Sequence, residues 1–378
     1  KRLYPNSSEY IVQVDLAVDK EIQTAILYEA LNYMAKYHGS LRANIFYTGV
    51  NEPREVVFDQ VVYENTVYDY SMNGNSEYMI AMIKKQDIQR GFDLENEALL
   101  RMAVCKQADG MRVIITFHHI ILDGWSCMLL IDELFKNYER FLLGSSFESK
   151  YENMQGLYGK YLKQKDKKEA YEYWKKLLSN YTEPCKIKAT GHPDKVDKDT
   201  PGKVEIYLDN DLKRKLTSFI HNHALSLNTV IETVWGLILG AYTRNDDIIF
   251  GKVVSGRNVD ISGIDTSLGM YINTIPVRVI LNSEEKLIHL LEKVQLQSAK
   301  ANDYDFCSLE EIQQMTLIKN KLLGSAISFE NYQESPVNQM FRIKQVRELS
   351  SFPISVSAQT GESFILSFLY DALIYGKN

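Results

Sequence analysis

The chain has 378 residues, 45% of them hydrophobic, which is enough apolar sequence for a globular protein of two domains. Its 43 basic and 49 acidic residues give a net charge of −6, which disfavours a nucleic acid or an anionic membrane as the main partner. The four cysteines lack CxxC or CxxH spacing, and no apolar run reaches membrane-spanning length. We therefore expect a cytoplasmic protein without a metal site. Because the first residue is not methionine, we also expect a piece of a longer chain.

Alternating and helical apolar patterns predict a first half that contains both strands and helices. The predicted strands lie at 10–18, 41–47, 55–58 and 99–106, with a further strand that begins at Val113. The predicted helices lie at 20–37, 75–90, 126–143 and 151–178. The turn Ala108-Asp109-Gly110 joins the last two strands, so we expect them to form a hairpin.

A polar stretch rich in proline and lysine separates this half from the next. We interpret residues 181–202 as a connector between a first domain at 1–180 and a second domain at 203–378. In the second domain, strands are predicted at 204–208, 247–254, 274–280, 324–329, 341–346, 353–358 and 364–370, and helices at 209–223, 228–242, 284–302 and 308–319. Both halves are mixed units of similar length, which indicates two lobes of related fold.

Two adjacent histidines, His118 and His119, end the apolar strand that begins at Val113. Neighbouring residues on a strand point to opposite faces, so only one of these side chains can face a given cavity, and the other must pack into its wall. Asp123 and Gly124 then turn the chain into the next predicted helix. Taken alone, this pattern favours structural histidines or a metal site over catalysis.

The stretch 118–124 matches the HHxxxDG signature of condensation domains from nonribosomal peptide synthetases, which belong to the chloramphenicol-acetyltransferase-like superfamily. Four other stretches resemble motifs of this family and follow in the family's order: 37–42 (RHxxLR), 92–101 (FDLxxxPLLR), 250–257 (FGxxVSGR) and 268–278 (VGxFxNTxPxR). Five ordered matches are far more specific than HHxxxDG alone. The resemblance implies an α/β (α+β) fold of two acetyltransferase-like lobes, arranged as a V-shaped pseudo-dimer with a tunnel between the lobes.

The resemblance also implies a reaction, in which the α-amine of an acceptor aminoacyl thioester attacks a donor peptidyl or aminoacyl thioester. Both substrates hang on phosphopantetheine arms of donor and acceptor peptidyl carrier proteins, so no permanently bound cofactor is expected. The implied partners are these carrier proteins and adjacent adenylation and carrier modules of a longer chain. The second histidine of the motif, here His119, is implied to lie at the middle of the tunnel. An imidazole there can accept a proton from the amine or orient it.

The resemblance implies supporting roles for the other motif residues. His118 is expected to be mainly structural, because its side chain points away from the face of the second histidine. Asp123 is expected to form a buried ion pair with an arginine, with Arg42 as the first choice and Arg257 as the second. Gly124 is expected to begin the next helix. Further candidates for the tunnel wall or for substrate contact are Trp125, Ser255, Gly256 and Asn273.

Two short stretches bear on the subtype of the reaction. Residues 307–313 and the sequence Phe329-Glu330-Asn331-Tyr332 look like segments of domains that join a D-configured donor to an L-configured acceptor, although Gln333 replaces the usual proline. The alternatives to a condensation domain are a stand-alone acyltransferase that uses coenzyme A or a carrier thioester, an epimerisation domain, and a non-catalytic docking relative. The intact HHxxxDG motif argues against the last of these.

Overall fold

The computed structural model describes residues 10–144, 153–189, 202–330, 340–361 and 363–375, so most of the predicted connector lies outside the described ranges. The strands are β1 Ile11–Val18, β2 Ala43–Phe46, β3 Arg54–Val57, β4 Glu64–Asp69, β5 Leu100–Gln107, β6 Gly110–His118, β7 Gly202–Leu208, β8 Asp247–Val254, β9 Asn273–Ile280, β10 Ser325–Glu330, β11 Phe341–Arg347, β12 Ile354–Thr360 and β13 Phe364–Tyr370. The α-helices are α1 Thr24–Tyr37, α2 Ser76–Arg90, α3 Gly124–Leu142, α4 Met154–Gln164, α5 Lys167–Leu177, α6 Asn210–Asn222, α7 Leu227–Thr243, α8 Leu287–Ala301 and α9 Leu309–Gln314. The predicted mixed α/β class is confirmed.

Three elements differ from the sequence-based expectation, and one of them is the helix predicted at 308–319, which ends at Gln314. The single helix predicted at 151–178 is two helices, α4 and α5, because Asp166 begins a new helix as its N-cap. Its carboxylate accepts a hydrogen bond from the N–H of Lys168 at 2.8 Å. The strand β4 was not predicted, because its residues are polar or only partly buried and show no clear apolar alternation.

The chain divides into two compact units, and each unit combines three separate stretches of sequence. The first comprises Lys1–Tyr161, Asp260–Tyr271 and Glu334–Leu349, and the second comprises Leu162–Val259, Ile272–Gln333 and Ser350–Asn378. The predicted domains, 1–180 and 203–378, were continuous and therefore differ from this division. Two stretches of the second half join the first unit because β11 pairs with β1 and because Gly269 is hydrogen-bonded to Ser126.

The first unit is built on a five-stranded sheet with the strand order β11-β1-β6-β5-β4. The strand β6 is antiparallel to both of its neighbours, β1 and β5, and pairs Ile11 with His118 at its end. These strands share one hydrophobic core with α1 and α3. Leu27, Leu31 and Met34 of α1 have the spacing of one helix face, and each is at most 1% exposed. This core holds the end of β6, where the two histidines lie.

A second set of buried contacts on this sheet is polar and connects it to α2. Asp15 of β1 is 1% exposed, and its carboxylate forms ion pairs with Arg112 of β6 and, at 2.6 Å, with Lys84 of α2. The side chain of Gln13 donates to the backbone carbonyl of Lys84 at 3.2 Å. Arg112 also contacts Glu77 of α2 at 2.9 Å. A buried carboxylate without such partners is costly, so this network holds α2 against the sheet.

The second unit is built on a six-stranded sheet with the strand order β7-β13-β12-β10-β8-β9. The strand β10 is parallel to both of its neighbours, and the other strand pairs are antiparallel. Trp174 of α5 is fully buried and donates its indole N–H to the backbone carbonyl of Tyr304 at 3.2 Å. Among the described residues, no single helix is long and apolar enough to cross a membrane, whereas α6 and α7 pass that test as a pair bent by 108°.

The ion-pair network on α2 leads to a stability prediction. We expect Arg112→Ala to lower the free energy of unfolding by about 3 kcal/mol, the lower end for a broken buried pair, because Lys84 still faces Asp15. Lys344 contacts the same Glu77 at 3.6 Å, but both of those side chains are well exposed. Lys344→Ala is therefore expected to cost about 0–1 kcal/mol. Urea unfolding of the two variants measures both losses of unfolding free energy. Equal losses in Arg112→Ala and Lys344→Ala would contradict the view that burial makes the Arg112 ion pairs more stabilising.

Candidate functional site

The HHxxxDG motif begins where β6 leaves the sheet of the first unit. The backbone N–H of His118 donates to the carbonyl of Leu99 at 2.9 Å, and that of His119 donates to the carbonyl of Tyr10 at 2.7 Å. Leu99 directly precedes β5 and Tyr10 directly precedes β1. His118 is therefore hydrogen-bonded on the side of β5, and His119 on the side of β1. This pairing sets the direction in which each side chain leaves the backbone.

His118 packs inside the first unit. The residue is 4% exposed, and its ring stacks on Tyr10 with the centroids 6.2 Å apart. The edge contact with Phe92 places the ring centroids 6.4 Å apart. The ring nitrogen Nδ1 accepts a hydrogen bond from the N–H of Ile120 at 3.1 Å, which requires an unprotonated Nδ1. These contacts favour the structural role predicted for His118.

His119 is largely buried, with 13% of its side chain exposed. Its Nδ1 atom is buried and has no hydrogen-bond partner within the described part of the chain. The other ring nitrogen, Nε2, lies 3.0 Å from Oε1 of Glu348, whose side chain is 47% exposed. The imidazole therefore presents Nε2, and not Nδ1, at the boundary between the protein interior and solvent.

The charges around His119 raise the pKa of its imidazole above the ordinary value. Burial opposes the charged ring and lowers the pKa, but the hydrogen bond and charge of Glu348, the polar backbone of His119 itself and the charge of Asp123 together outweigh this effect. The same two carboxylates act on Cys127 in the first turn of α3. Burial first, and then these charges, raise the pKa of the Cys127 thiol to about 12. The site is therefore a region of negative potential that favours a protonated imidazole.

Asp123 is completely buried, and backbone N–H groups contact both of its carboxylate oxygens. Oδ1 accepts from the N–H of Ser126 at 2.8 Å, which makes Asp123 the N-cap of α3, and Gly124 is the first residue of that helix. Oδ2 accepts from the N–H of Tyr271 at 3.0 Å. The backbone N–H of Asp123 donates to the carbonyl of Gly269 at 3.1 Å. One carboxylate thus joins the start of α3 to a segment from the second half of the chain.

Side chains in the first turn of α3 bind the same segment. The hydroxyl of Ser126 donates to the carbonyl of Gly269 at 2.8 Å and accepts from its N–H at 3.0 Å. The indole N–H of Trp125 donates to the carbonyl of Asp265 at 2.9 Å. Trp125 therefore anchors backbone within the first unit, and its predicted contact with substrate stays a prediction.

Arg42, the first-choice partner of Asp123, is 8% exposed and donates to two backbone carbonyls. Its Nε bonds the carbonyl of Ala35 at 2.6 Å, and its Nη1 bonds the carbonyl of Phe58. Arg42 thereby connects the last turn of α1 with the residue that follows β3. The predicted ion pair of Asp123 with Arg42 or Arg257 stays a prediction.

The turn after β8 in the second unit contains three more candidates. Gly256 has a φ of 63°, a left-handed conformation that glycine adopts without strain. The hydroxyl of Ser255 accepts from the N–H of Arg257 at 3.3 Å, and the Arg257 side chain is buried. The turn therefore requires glycine for backbone reasons, whether or not these residues contact a substrate.

Asn273, at the start of β9, holds a neighbouring loop of the second unit. Its Nδ2 donates to the carbonyls of Asp305 and Cys307 at 2.7 and 2.5 Å. Its Oδ1 accepts from the N–H of Thr274 at 2.8 Å. In this loop, burial raises the pKa of the Asp305 carboxyl to about 6. The Asn273 amide is thus engaged with three backbone groups, and its predicted place in a tunnel wall stays a prediction.

The structure adds Glu348, a residue that no sequence pattern singled out, to the site. It follows β11 directly, and β11 is separated from β6 by β1 in the sheet. Only the pairing of β11 with β1 brings this carboxylate to His119, so a search for local motifs carries no signal for it. Within the described residues, no group of three or more His, Cys, Asp or Glu side chains could hold a metal ion.

The contacts of Asp123 lead to a prediction about stability. Asp123→Ala removes the N-cap, at about 1 kcal/mol, and leaves the N–H of Tyr271 buried without an acceptor, at about 1–3 kcal/mol. We therefore expect a loss of about 2–4 kcal/mol in the free energy of unfolding. Asp123→Asn retains one oxygen that can cap α3, so it should lose less. Chemical unfolding of both variants tests this, and an Asp123→Ala protein as stable as the parent would disprove the role of the carboxylate.

Comparison with known proteins places these residues in a family. The sequence model of the Condensation domain family matches residues 1–378. Bacitracin synthase 3 of Bacillus licheniformis is 31% identical over 384 residues, which cover 98% of this chain and only 6% of that protein. The starter condensation domain of rhizomide synthetase RzmA has a TM-score of 0.81 at 15% identity and covers 100% of this chain and 88% of its own. The epimerization domain from the third module of tyrocidine synthetase B has a TM-score of 0.77 at 16% identity over 98% of this chain and 88% of its own. At such identities the solved structures show a shared fold alone, whereas the family model and the bacitracin synthase show that the chain belongs to the Condensation domain family.

Proposed function

We propose that this domain forms amide bonds as a condensation domain of a nonribosomal peptide synthetase. The observation that carries the proposal is the arrangement of the motif, with Nε2 of the largely buried His119 3.0 Å from the half-exposed Glu348 and with Asp123 bound to backbone groups. Family membership and the likeness to a bacitracin synthase support it. The reaction proposed is attack of the acceptor's α-amine on the donor thioester.

The chemistry requires one proton to leave the amine before attack. An α-amine has an ordinary pKa near 8, so it arrives largely as an ammonium at neutral pH. When the Glu348 carboxylate has moved off Nε2 and the neutral ring carries its hydrogen on Nδ1, His119 accepts a proton at Nε2, and the lone pair freed on the amine forms a C–N bond with the donor carbonyl carbon. The tetrahedral oxyanion then collapses, the C–S bond breaks, and the thiolate takes one of the two hydrogens left on the nitrogen as a proton, while the other stays as the amide N–H. Because a thioester is already activated, holding the amine in place contributes to the rate as well.

The substrates are proposed to arrive on donor and acceptor peptidyl carrier proteins. Their phosphopantetheine arms carry the two thioesters, so the domain itself needs no permanently bound cofactor for this reaction. The chain spans only 6% of the length of bacitracin synthase 3, which supports a place beside adenylation and carrier modules in a longer chain. These partners are part of the proposal.

The proposal includes a preference for a D-configured donor and an L-configured acceptor. It rests on the resemblance of residues 307–313 and 329–332 to segments of that subtype. Phe329 and Glu330 end β10, whereas Asn331, Tyr332 and Gln333 lie outside the described residues. The stereochemical preference is therefore supported by sequence, and an assay must test it.

We expect the parent domain to form an amide-linked product from a loaded donor carrier protein and a loaded acceptor carrier protein. Intact-protein mass spectrometry measures the amount of this product over time. His119→Ala should lower the rate about 100-fold or more, the usual contribution of a positioned acid–base group, while the protein still folds and unfolds cooperatively. His38→Ala is the matched control, because His38 also pairs with a glutamate, Glu133, at 2.9 Å, and is equally exposed at 13%. Product formation by the parent at the rate without enzyme would refute the proposal.

Two further reactions separate the alternatives. A donor presented as a coenzyme A thioester tests a stand-alone acyltransferase, which would use it as well as the carrier-bound donor. Exchange of the α-hydrogen of a loaded aminoacyl group for deuterium, without an acceptor, tests the epimerisation reaction. That alternative is retained because a solved epimerization domain shares this fold.

The subtype is tested with donors that differ only in the configuration of the last residue. We expect the D-configured donor to react at least about tenfold faster than its L-configured counterpart, since a pocket shaped for one configuration misplaces the carbonyl of the other. Single-turnover rates with preloaded carrier proteins measure this ratio. A faster reaction with the L-configured donor would disprove the subtype and leave the condensation activity intact.

A further inference from the structure

We propose that Glu348 is a positioning residue for this reaction, because its carboxylate orients the His119 ring and stabilises the imidazolium that forms there. This inference rests on the proposed function. Nε2 of His119 lies 3.0 Å from Oε1 of Glu348, whereas Nδ1 is buried without a hydrogen-bond partner in the described part of the chain. The nitrogen that a substrate amine can reach is therefore Nε2, which donates to Glu348 while the ring is charged and accepts a proton only when the neutral ring carries its hydrogen on Nδ1.

The position of Glu348 is set by the sheet and not by a loose loop. In the strand ladders, Gln13 pairs with Arg347 on one side and with Thr116 on the other, so these three residues form one row across β11, β1 and β6. The guanidinium of Arg347 also donates to the carbonyl of Ile11 at 3.3 Å. Because Glu348 directly follows this row, its backbone is placed by the same pairing that places the end of β6.

The groups that set the charge of His119 come from two elements. Glu348 follows β11, and Asp123 and Cys127 lie at the start of α3. Cys127 is buried, and its raised pKa keeps the thiol neutral at physiological pH, so the two carboxylates supply the negative charge. Glu348 is the larger of the two influences on His119 and is also the one in contact with it.

This arrangement gives Glu348 two effects on the proposed reaction. The negative charge attracts the acceptor while it is still an ammonium. After Nε2 takes the proton, the imidazolium lies beside a carboxylate and is stabilised, which makes His119 a stronger base. The side chain of Glu348 is 47% exposed, so it has room to turn from Nε2 when the amine arrives.

The raised pKa of His119 also determines how its contribution to the stability of the fold changes with pH. A histidine whose pKa is higher in the folded protein stabilises the fold fully at a pH below its ordinary pKa of about 6.5. This contribution is lost as the pH rises through the folded-state pKa. The difference in unfolding free energy between the parent and a variant without the Glu348 charge should therefore be larger at a mildly acidic pH of about 6 than in alkaline solution.

Three variants of the whole chain separate the charge of Glu348 from its shape. Glu348→Gln keeps an oxygen that can accept from Nε2 but removes the charge, and Glu348→Ala removes both. Glu133→Gln is the matched control, because Glu133 forms a second glutamate–histidine pair in the first unit, at 2.9 Å from His38. The readouts are the pH titration of the His119 ring by NMR, with its signal assigned by its loss in His119→Ala, and the pH profile of the single-turnover condensation rate.

We expect Glu348→Gln to lower the pKa of His119 and to move the acidic limb of the rate profile to lower pH by the same amount. Glu348→Ala should do this and also lower the plateau rate about tenfold or more, because the ring is no longer held. Glu133→Gln should change neither readout. A Glu348→Gln protein with an unchanged His119 titration, or with a shifted titration and an unchanged rate profile, would overturn the inference.

Failure of the proposed function gives a different result. If the parent forms no amide above the rate without enzyme, the condensation proposal falls, and with it the effect of Glu348 on that reaction. The ring titration then still decides whether Glu348 controls the charge of His119. The two hypotheses therefore fail on separate measurements.

Discussion

The buried carboxylate of Asp123 is the interaction on which the candidate site depends. A carboxylate with no exposure to solvent must be satisfied by hydrogen-bond donors, and two of its donors are backbone N–H groups from segments far apart in the sequence. One is in the first turn of α3 and the other belongs to Tyr271. The start of the helix, the segment around Gly269 and the end of β6 are consequently fixed as one assembly.

Within this assembly the two adjacent histidines have different surroundings. His118 is enclosed by Tyr10 and Phe92 and accepts a backbone hydrogen bond, so its ring is part of the packing. His119 leaves the strand in the other direction and presents one nitrogen beside Glu348. Burial opposes the charge of this imidazole, and the neighbouring carboxylate favours it strongly enough that the pKa lies above its ordinary value.

Local patterns predicted those parts of the fold whose cause is local. The apolar run before His118 and the Asp-Gly pair after it led to a strand, a turn and a helix, which the structure contains as β6 and α3. The long helix expected at 151–178 was wrong, because Asp166 caps a second helix within an otherwise helical composition. Continuous domains were expected, yet β11 pairs with β1 and residues 260–271 join the first unit, and a non-local pairing leaves no periodic trace in the sequence.

The sequence by itself determined the family, through five motifs in one order, and the strand-turn-helix around His119, because these follow from side-chain types at short spacing. Tertiary structure decided what the side chains of that motif touch. It bound Asp123 to the backbone of Tyr271, and it brought Glu348 to His119 from 229 residues away. The physical reason is the strand order β11-β1-β6, since backbone hydrogen bonds between distant segments choose neighbours that no local pattern specifies.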